Sequence, residues 1–247
     1  MLATGDRVQL GCHVAIAGWA VRKEQAHLFA PDGSHLQRYA SRFTSVEINS
    51  SFYRSHQRET YERWAASVPK RFTFAVKMPK WLTHECALQD TGDALSAFVR
   101  EIAGLGGKLG CVLVQLPPSL AYDPRTVERF FTALRRRHRG AVVCEPRHST
   151  WFTGAADRRL EAHGVGRVAA DPSCGEGGDA PGGAERIAYF RLHGSPLMYH
   201  SSYSDRYLAA LADRIRVLRR DRPVWCVFDN TARGAATVNG MALQAMI

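Results

Sequence analysis

The chain has 247 residues, 45% hydrophobic and 23% charged, which is an ordinary balance for a globular domain. No apolar run approaches the roughly 20 residues needed to cross a bilayer, which excludes a transmembrane protein. Met1–Gln9 carries Asp6 and Arg7 where a secretory signal has its apolar core, so we expect a cytoplasmic protein. The six cysteines form no C-x-x-C pair, and we predict reduced thiols without structural zinc.

The formal net charge of +10 has two interpretations. An arginine-rich composition explains the charge without a partner, whereas a nucleic acid or another polyanion would be attracted by it. The basic residues are dispersed except in the run Arg135-Arg136-Arg137-His138-Arg139. That run follows an apolar helical stretch, and we interpret it as the solvated end of a helix.

Short apolar runs alternate along the chain with longer segments of helical period. Eight runs are predicted as strands: Val14–Trp19, Ser45–Asn49, Phe72–Lys77, Gly110–Leu116, Val142–Glu145, Arg167–Ala170, Ile187–His193 and Val224–Phe228. Seven segments between or after them are predicted as helices: Leu36–Arg42, Thr60–Ser67, Ala94–Leu105, Pro124–Arg137, Ala155–His163, Asp205–Arg219 and Gly234–Met246.

This alternation predicts one α/β domain over residues 1–247, a single-domain (β/α)8 TIM barrel. An open doubly wound sheet is the alternative. Such a sheet would normally have a glycine-rich phosphate turn after its first strand, and the segment after Trp19 has none.

Seven of the eight predicted strands end in polar side chains. In chain order these are Glu47 and Asn49, Lys77, Gln115, Glu145 with Arg147 and His148, Asp171, Arg191 with His193, and Asp229 with Asn230. Catalytic groups of parallel barrels come from the C-terminal ends of several strands. Burial of such charges is costly unless they are paired. We therefore predict a network of Glu47 and Glu145 against Lys77, Arg147 and Arg191.

Two carboxylates and several cations suit acid–base chemistry on an anion. The predicted catalytic residues are Glu47, Glu145, Lys77 and His193. The predicted substrate-binding residues are Asn49, Tyr53, Gln115, Arg147, His148, Arg191, Tyr203 and Asn230. The turns His193-Gly194-Ser195 and Asn230–Gly234 are candidate anion sites, the latter because it opens a helix.

A catalytic metal is the competing hypothesis. Its candidate ligands are His84, Glu85, Glu145, His148, Asp171 and His193, but no tight motif such as H-E-x-x-H is present, and no metal site is predicted. Aromatic residues also follow the strands, either as hydrophobic lids or as a stacking surface for a flat ligand: Trp19, Phe52, Tyr53, Trp81, Trp151, Tyr199 and Tyr203.

Several blocks of the sequence match a known family. They are Val46–Arg54 (VEINSSFYR), Phe74–Lys77 (FAVK), Gln115–Ser119 (QLPPS), Glu145–His148 (EPRH) with Trp151, Tyr189–Gly194 (YFRLHG), Tyr203, and Phe228–Asn230 (FDN) with Gly234, Ala236 and Asn239. The chain resembles the YecE-like proteins, domain-of-unknown-function family 72.

The resemblance implies a TIM barrel and brings no reaction with it. Barrels of this family are likened to those of endonuclease IV and sugar isomerases, which is an analogy of fold only. The first strand departs from the family pattern G-T-S-G-W-S-Y, because only Gly18 and Trp19 of it are present here.

Three functional hypotheses follow. The first is an enzyme acting on a small anionic substrate, phosphorylated compounds included, as a hydrolase, lyase or isomerase. The second is a barrel that binds or processes nucleic acid, and the third is a ligand sensor without turnover. The sequence predicts neither a cofactor nor an oligomeric state.

Overall fold

The computed structural model of the chain describes residues 11–247, so the prediction made for Met1–Gln9 lies outside the described residues. The described part contains ten strands: β1 (Cys12–Ile16), β2 (Ser45–Ile48), β3 (Thr73–Lys77), β4 (Leu109–Gln115), β5 (Val142–Glu145), β6 (Val165–Arg167), β7 (Ala169–Asp171), β8 (Gly182–Gly183), β9 (Ala188–Leu192) and β10 (Val224–Phe228).

The same residues form eight α-helices: α1 (His35–Tyr39), α2 (Ser50–Tyr53), α3 (Arg58–Ala66), α4 (Gly92–Ile102), α5 (Pro124–Arg137), α6 (Gly154–Ala162), α7 (Asp205–Leu218) and α8 (Ala235–Met246). Short 3-10 helices span Lys23–Leu28, Ala103–Lys108 and Ser149–Trp151, and a π-helical turn spans Trp81–Glu85. Each of the seven predicted helices has an observed counterpart.

The strands form two mainly parallel sheets. One has the order β1-β10-β9-β7, and the other has the order β2-β3-β4-β5-β6-β8, in which only the pairing of β8 with β6 is antiparallel. The predicted α/β class with parallel strands is therefore confirmed. A closed TIM barrel is not, because the described strands do not form one uninterrupted ring of ladder hydrogen bonds.

The two sheets meet at two junctions. At one, the chain passes from β6 to β7 through Val168, whose N–H donates to the carbonyl of Cys144 on β5 (2.8 Å). At the other, β1 and β2 share a single bridge between Ala17 and Glu47, with a hydrogen bond from Gly18 N to Glu47 O of 2.8 Å.

A tyrosine side chain spans the junction between β1 and β2. The buried hydroxyl of Tyr39 accepts a hydrogen bond from Ile16 N (3.1 Å) and donates to Ser45 O (2.8 Å). One main-chain group of β1 and one of β2 are therefore hydrogen-bonded to a side chain of α1 instead of to the neighbouring strand. This explains how β1 and β2 can lie side by side with only one bridge between them.

Three predicted elements differ from the observed ones. Strand six is split into β6 and β7, and Arg167 at the split donates to Asp157 Oδ1 at 2.7 Å. Strand one ends early because Gly18, at φ +96°, turns the chain away from the sheet. Helix α1 is shorter than expected, and it begins with a capping box of Ser34 and Gln37, a signal present in the sequence.

Side chains alternate between two apolar clusters along each strand. The larger cluster packs the sheets against the helices. The smaller one lies between the sheets: Ala15, Ala75, Cys111, Leu113, Val143, Val168, Ile187, Tyr189, Trp225 and Val227. Trp225 is its largest member and stacks on His13 (4.5 Å between centroids), while Gly110 has no Cβ to occupy the space that the indole fills.

Among residues 11–247, no helix combines the length and the apolar composition required to cross a membrane. All six cysteines fall within this range and are free thiols.

Substitution of Tyr39 by Phe tests the junction between β1 and β2. The variant leaves Ile16 N–H and Ser45 C=O without their hydrogen-bond partner. Each buried group left unsatisfied lowers the free energy of unfolding by about 1–3 kcal/mol. Urea denaturation measures the loss in the free energy of unfolding. Tyr53→Phe is the control, since Tyr53 is 75% exposed and its change is expected to stay within about 0.5 kcal/mol. Equal stabilities of the two variants would contradict the assignment.

Candidate functional site

On several strands, every second side chain belongs to the smaller apolar cluster between the sheets, and we call this row the inner stripe. At the C-terminal end of these strands the inner stripe becomes polar. Glu145 follows Val143 by two residues on β5, Arg191 follows Tyr189 on β9, and Asp229 follows Val227 just beyond β10. Parallel strands end at the same edge, so period-2 alternation delivers these side chains to one place between the sheets. The site therefore stands directly on the apolar inner cluster.

Arg191 is the centre of this polar network, and its side chain is fully buried. Its guanidinium donates to Glu47 through Nη2 (2.9 Å to Oε1) and Nε (3.1 Å to Oε2), to Glu145 Oε2 through Nη1 (3.3 Å), and it pairs with Asp229 Oδ2 through Nη2 (3.0 Å). Burial opposes its charge, but three carboxylates outweigh burial and hold the pKa of Arg191 well above its ordinary value.

Glu47 is bound on both oxygens. Tyr189 Oη donates to Oε2 at 2.8 Å, and Arg191 occupies both oxygens from the other side. Burial raises the pKa of Tyr189 well above its ordinary value, so the phenol stays protonated and able to donate. The arrangement fixes the plane of the Arg191 guanidinium.

His193 lies between two carboxylates. Its Nε2 is 2.7 Å from Glu145 Oε1, and its Nδ1 is 3.0 Å from Asp229 Oδ2. Burial disfavours a charged ring, but the nearby carboxylates prevail and raise the pKa of His193. Both nitrogens face carboxylate acceptors, an arrangement that favours the imidazolium form, in which the ring donates twice.

Glu145 accepts hydrogen bonds from four side chains. Besides His193 and Arg191, it accepts from Gln115 Nε2 (3.0 Å) and from Arg147 Nη1 (3.3 Å). Burial alone would raise the pKa of Glu145, but the cationic neighbours hold it well below its usual range. The carboxylate is therefore ionised at neutral pH.

Lys77 ends β3 on the same inner stripe as Ala75. Its side chain is 5% exposed, and its Nζ lies 3.9 Å from the ring centroid of Phe52. Among residues 11–247, no hydrogen bond or ion pair engages this Nζ. Burial, with help from Arg191, lowers the pKa of Lys77 to about 8, although Glu47, Asp229 and Glu145 act in the opposite direction.

The structure brings together most of the predicted site residues: Glu47, Lys77, Gln115, Glu145, Arg147, Arg191 and His193. Asn49 adjoins them at the end of β2, and its buried Oδ1 has no hydrogen-bond partner within the described chain. Asp229 and Tyr189 were not among the predicted site residues. The sequence signal for both residues is their spacing, because Asp229 lies two residues after Val227 and Tyr189 lies two residues before Arg191 on the inner stripe.

Four predicted substrate-binding residues make their contacts elsewhere. Tyr53 is an exposed residue, and His148 Nδ1 accepts from Thr150 N at 3.3 Å at the start of a 3-10 turn. Tyr203 donates to Asp171 Oδ2 at 2.7 Å, and Asn230 Nδ2 donates to Ser201 O at 2.9 Å. Tyr203 and Asn230 thus organise the loops above the sheets.

The two turns expected to bind anions have amides that are already bonded. Gly194 N donates to Tyr203 Oη (2.8 Å), and Ala236 N at the start of α8 donates to Asn230 O (3.1 Å). Donors that are satisfied internally are not free for a ligand, so these two amides are not open to an anion.

Five of the seven aromatic residues fall into two groups. Trp151 and Tyr203 are buried as lids, whereas Tyr53 and Trp81 line an open groove of about 560 Å³ together with Phe52. Phe52 separates this groove from the network, because its ring also contacts Lys77 Nζ. Within residues 11–247, no three His, Cys, Asp or Glu side chains are grouped as a metal-binding set.

Substitution of His193 by Gln tests the protonation of the network. A raised pKa in the folded state means that the imidazolium contributes its full stability below the ordinary histidine value of about 6.5, and the contribution is lost as pH rises through the folded value. The deficit of His193→Gln in unfolding free energy should be larger at pH 5.5 than at pH 9.

Urea denaturation at both pH values measures this deficit. His200→Gln is the control for loss of an imidazole at an exposed position. A deficit of His193→Gln that is constant with pH would show that folding does not raise the pKa of His193, and one that grows with pH would show that folding lowers it.

The sequence of the chain is similar to those of two UPF0759 proteins. The chain has 28% identity over 144 residues to the UPF0759 protein YecE of Escherichia coli K12, a match that covers 55% of the chain and about half (52%) of YecE. The UPF0759 protein YunF of Bacillus subtilis is 22% identical over 95% of this chain and 94% of that protein.

Two solved structures of this kind superpose well on the chain. A DUF72 family protein from Thermotoga maritima has a TM-score of 0.79 at 22% identity, covering 96% of this chain and 98% of that one. One from Enterococcus faecalis has a TM-score of 0.78 at 18% identity, covering 95% and 94%. The family model described as "Protein of unknown function DUF72" matches residues 13–247, and the chain therefore belongs to the DUF72 family.

Proposed function

We propose that the strand ends bind a small anionic molecule and act on it by acid–base chemistry. One observation carries the proposal: Lys77 is a buried ammonium group with no ion pair among the described residues, beside carboxylates that are already engaged by other cations. An anionic ligand group would supply the missing partner.

The charges of the network support an anion rather than a cation. Three carboxylates, those of Glu47, Glu145 and Asp229, face the cationic groups of Arg191, Arg147, His193 and Lys77. With the histidine protonated, positive charge exceeds negative charge by one. Of the cations, Lys77 and Arg147 keep some exposure (5% for Lys77 and 11% for the Arg147 side chain), and these two would face the ligand.

The hydrogen bonds suggest roles within this proposal. His193 would transfer a proton only by exchanging its hydrogen bond to Glu145 or Asp229 for one to the ligand, since these two carboxylates occupy both ring nitrogens. Both oxygens of Glu47 are occupied by Tyr189 and Arg191, so Glu47 would position Arg191 rather than act as the acid or base expected from the sequence.

We propose further that the two sheets work together as the wall of a TIM-type barrel. The strand order supports this: β1-β10-β9-β7 continues through Val168 into β6-β5-β4-β3-β2, and the bridge between Ala17 and Glu47 returns it to β1. A barrel of this kind carries its site at the C-terminal strand ends.

A nucleic-acid partner has less support. It rests on the net charge of +10, and the basic run that could have formed a patch is partly committed to structure. Arg135 donates to three main-chain carbonyls, those of Gly140, His163 and Gly164, and Arg137 donates to Ser96 Oγ and Ala133 O.

Isothermal titration calorimetry with sulfate tests the anion site. Sulfate keeps its charge between pH 6 and 10, so changes in affinity report on the protein. We expect binding to the wild type at pH 7 and weaker binding at pH 9.5, because the charge of Lys77 is lost above about 8. Lys77→Met should weaken binding by about tenfold, which corresponds to roughly 1.4 kcal/mol.

Lys80→Met is the matched control. Lys80 is three residues away, is half exposed and pairs with Glu85 at 3.6 Å, so its loss should leave sulfate affinity unchanged. Equal affinities for the two methionine variants, or no binding to the wild type, would count against the proposed function.

A further inference from the structure

Lys77 has the environment of a nucleophilic amine as well as that of an anion-binding cation. We propose that its Nζ forms an imine with the carbonyl carbon of a small aldehyde or ketone that also carries an anionic group. The inference rests on the proposed function for the anionic group, and it adds the substrate class and a covalent step.

The backbone of Lys77 is held firmly in place. The residue closes β3 opposite Leu113 of β4, and the N–H of the following Met78 donates to Leu113 O at 2.8 Å. Ser51 Oγ donates to Lys77 O at 2.6 Å, from the first turn of α2. The side chain therefore starts from a fixed point and has few directions to take, which favours a reactive group that must meet a substrate repeatedly in one geometry.

The amine of Lys77 is buried, and it has no hydrogen bond or ion pair among the described residues. Its Nζ lies over the face of Phe52, and the carboxylates that could have paired with it are engaged instead by Arg191 and His193. The absence of an ion pair within the described chain leaves the nitrogen lone pair available after deprotonation. Desolvation and a neighbouring cation are two known means of activating a lysine as a nucleophile.

The protonation state supports the same role. With a pKa lowered to about 8, about half of the Lys77 side chains are neutral at pH 8, whereas an ordinary lysine is less than ~1% neutral there. The pKa of a nucleophilic amine is best placed near the working pH, so that the free base is abundant without loss of basicity.

The covalent step balances as follows. The neutral amine attacks the carbonyl carbon, a C–N bond forms, and the π electron pair moves to the oxygen, which takes up a proton. Loss of this oxygen as water, after a second protonation and the departure of one amine proton, gives an iminium ion. In sum, the amine, the carbonyl compound and one proton give the iminium ion and water. Solvent at the strand ends supplies this proton, because both nitrogens of His193 are engaged with Glu145 and Asp229.

The other lysines of the chain offer internal comparisons. Lys80 is half exposed and pairs with Glu85, and Lys108 donates to the carbonyls of Ala65 (2.5 Å) and Val68 (2.8 Å). Lys80 is therefore an ordinary surface amine on the adjacent segment, and Lys108 is an amine whose donors are committed to structure.

Reductive trapping tests the proposal. The full chain is incubated at pH 8 with glyoxylate, a small anionic aldehyde, and sodium cyanoborohydride, which delivers hydride to the iminium carbon. Peptide mass spectrometry then locates carboxymethyl groups on the lysines. We expect Lys77 to be modified at least about tenfold faster than Lys80, because burial lowers the pKa of Lys77 to about 8 and its amine has no ion pair among the described residues, whereas Lys80 pairs with Glu85. Lys77→Arg should lose this rapid modification.

The outcomes separate this proposal from the one it rests on. Modification of Lys77 no faster than of Lys80 would overturn the imine, even if sulfate binding depends on Lys77. Parallel trapping with acetaldehyde, which has no anionic group, and competition by sulfate address the anion site. Equal trapping by both aldehydes, without protection by sulfate, would retain the reactive amine and remove the anion-binding function.

Discussion

The buried guanidinium of Arg191 is the constraint on which the site depends. A cation with no exposure to solvent is tolerated only if carboxylates surround it, and Glu47, Glu145 and Asp229 do so from three different strand ends. Those carboxylates in turn fix the orientation of His193 and the local potential at Lys77. One charge thus ties together parts of the chain that are more than 140 residues apart in sequence.

Much of this arrangement could be predicted from the sequence. The alternation of strands and helices indicated the α/β class, and the polar strand ends indicated the pairing of Glu47 and Glu145 with Arg191, because buried charges require partners. Asp229 was recognisable as a strand-end residue, but its inward direction depends on the register of β10 against β9, in which Val227 pairs with Arg191. A register of this kind involves long-range pairing that a local pattern does not specify.

Other features could not be predicted, for equally physical reasons. The binding roles expected of Tyr203 and Asn230 were drawn from residue type, yet their hydrogen bonds go to loop atoms brought close only by the tertiary fold. The interruption of the ladder between β1 and β2 depends on one hydroxyl, that of Tyr39, which reaches both strands from a helix. A tyrosine at an apolar position of a helix is usually interpreted as a core residue. Nothing in the sequence around Tyr39 indicates that its hydroxyl links β1 to β2.

The apolar filling beneath the network has a consequence for molecular traffic. Trp225, stacked between His13 and Tyr189, closes the space between the sheets on the side away from the strand ends. Solvent therefore has no path to the network through this end of the inner cluster, which leaves the strand ends as the side from which protons and water exchange with it.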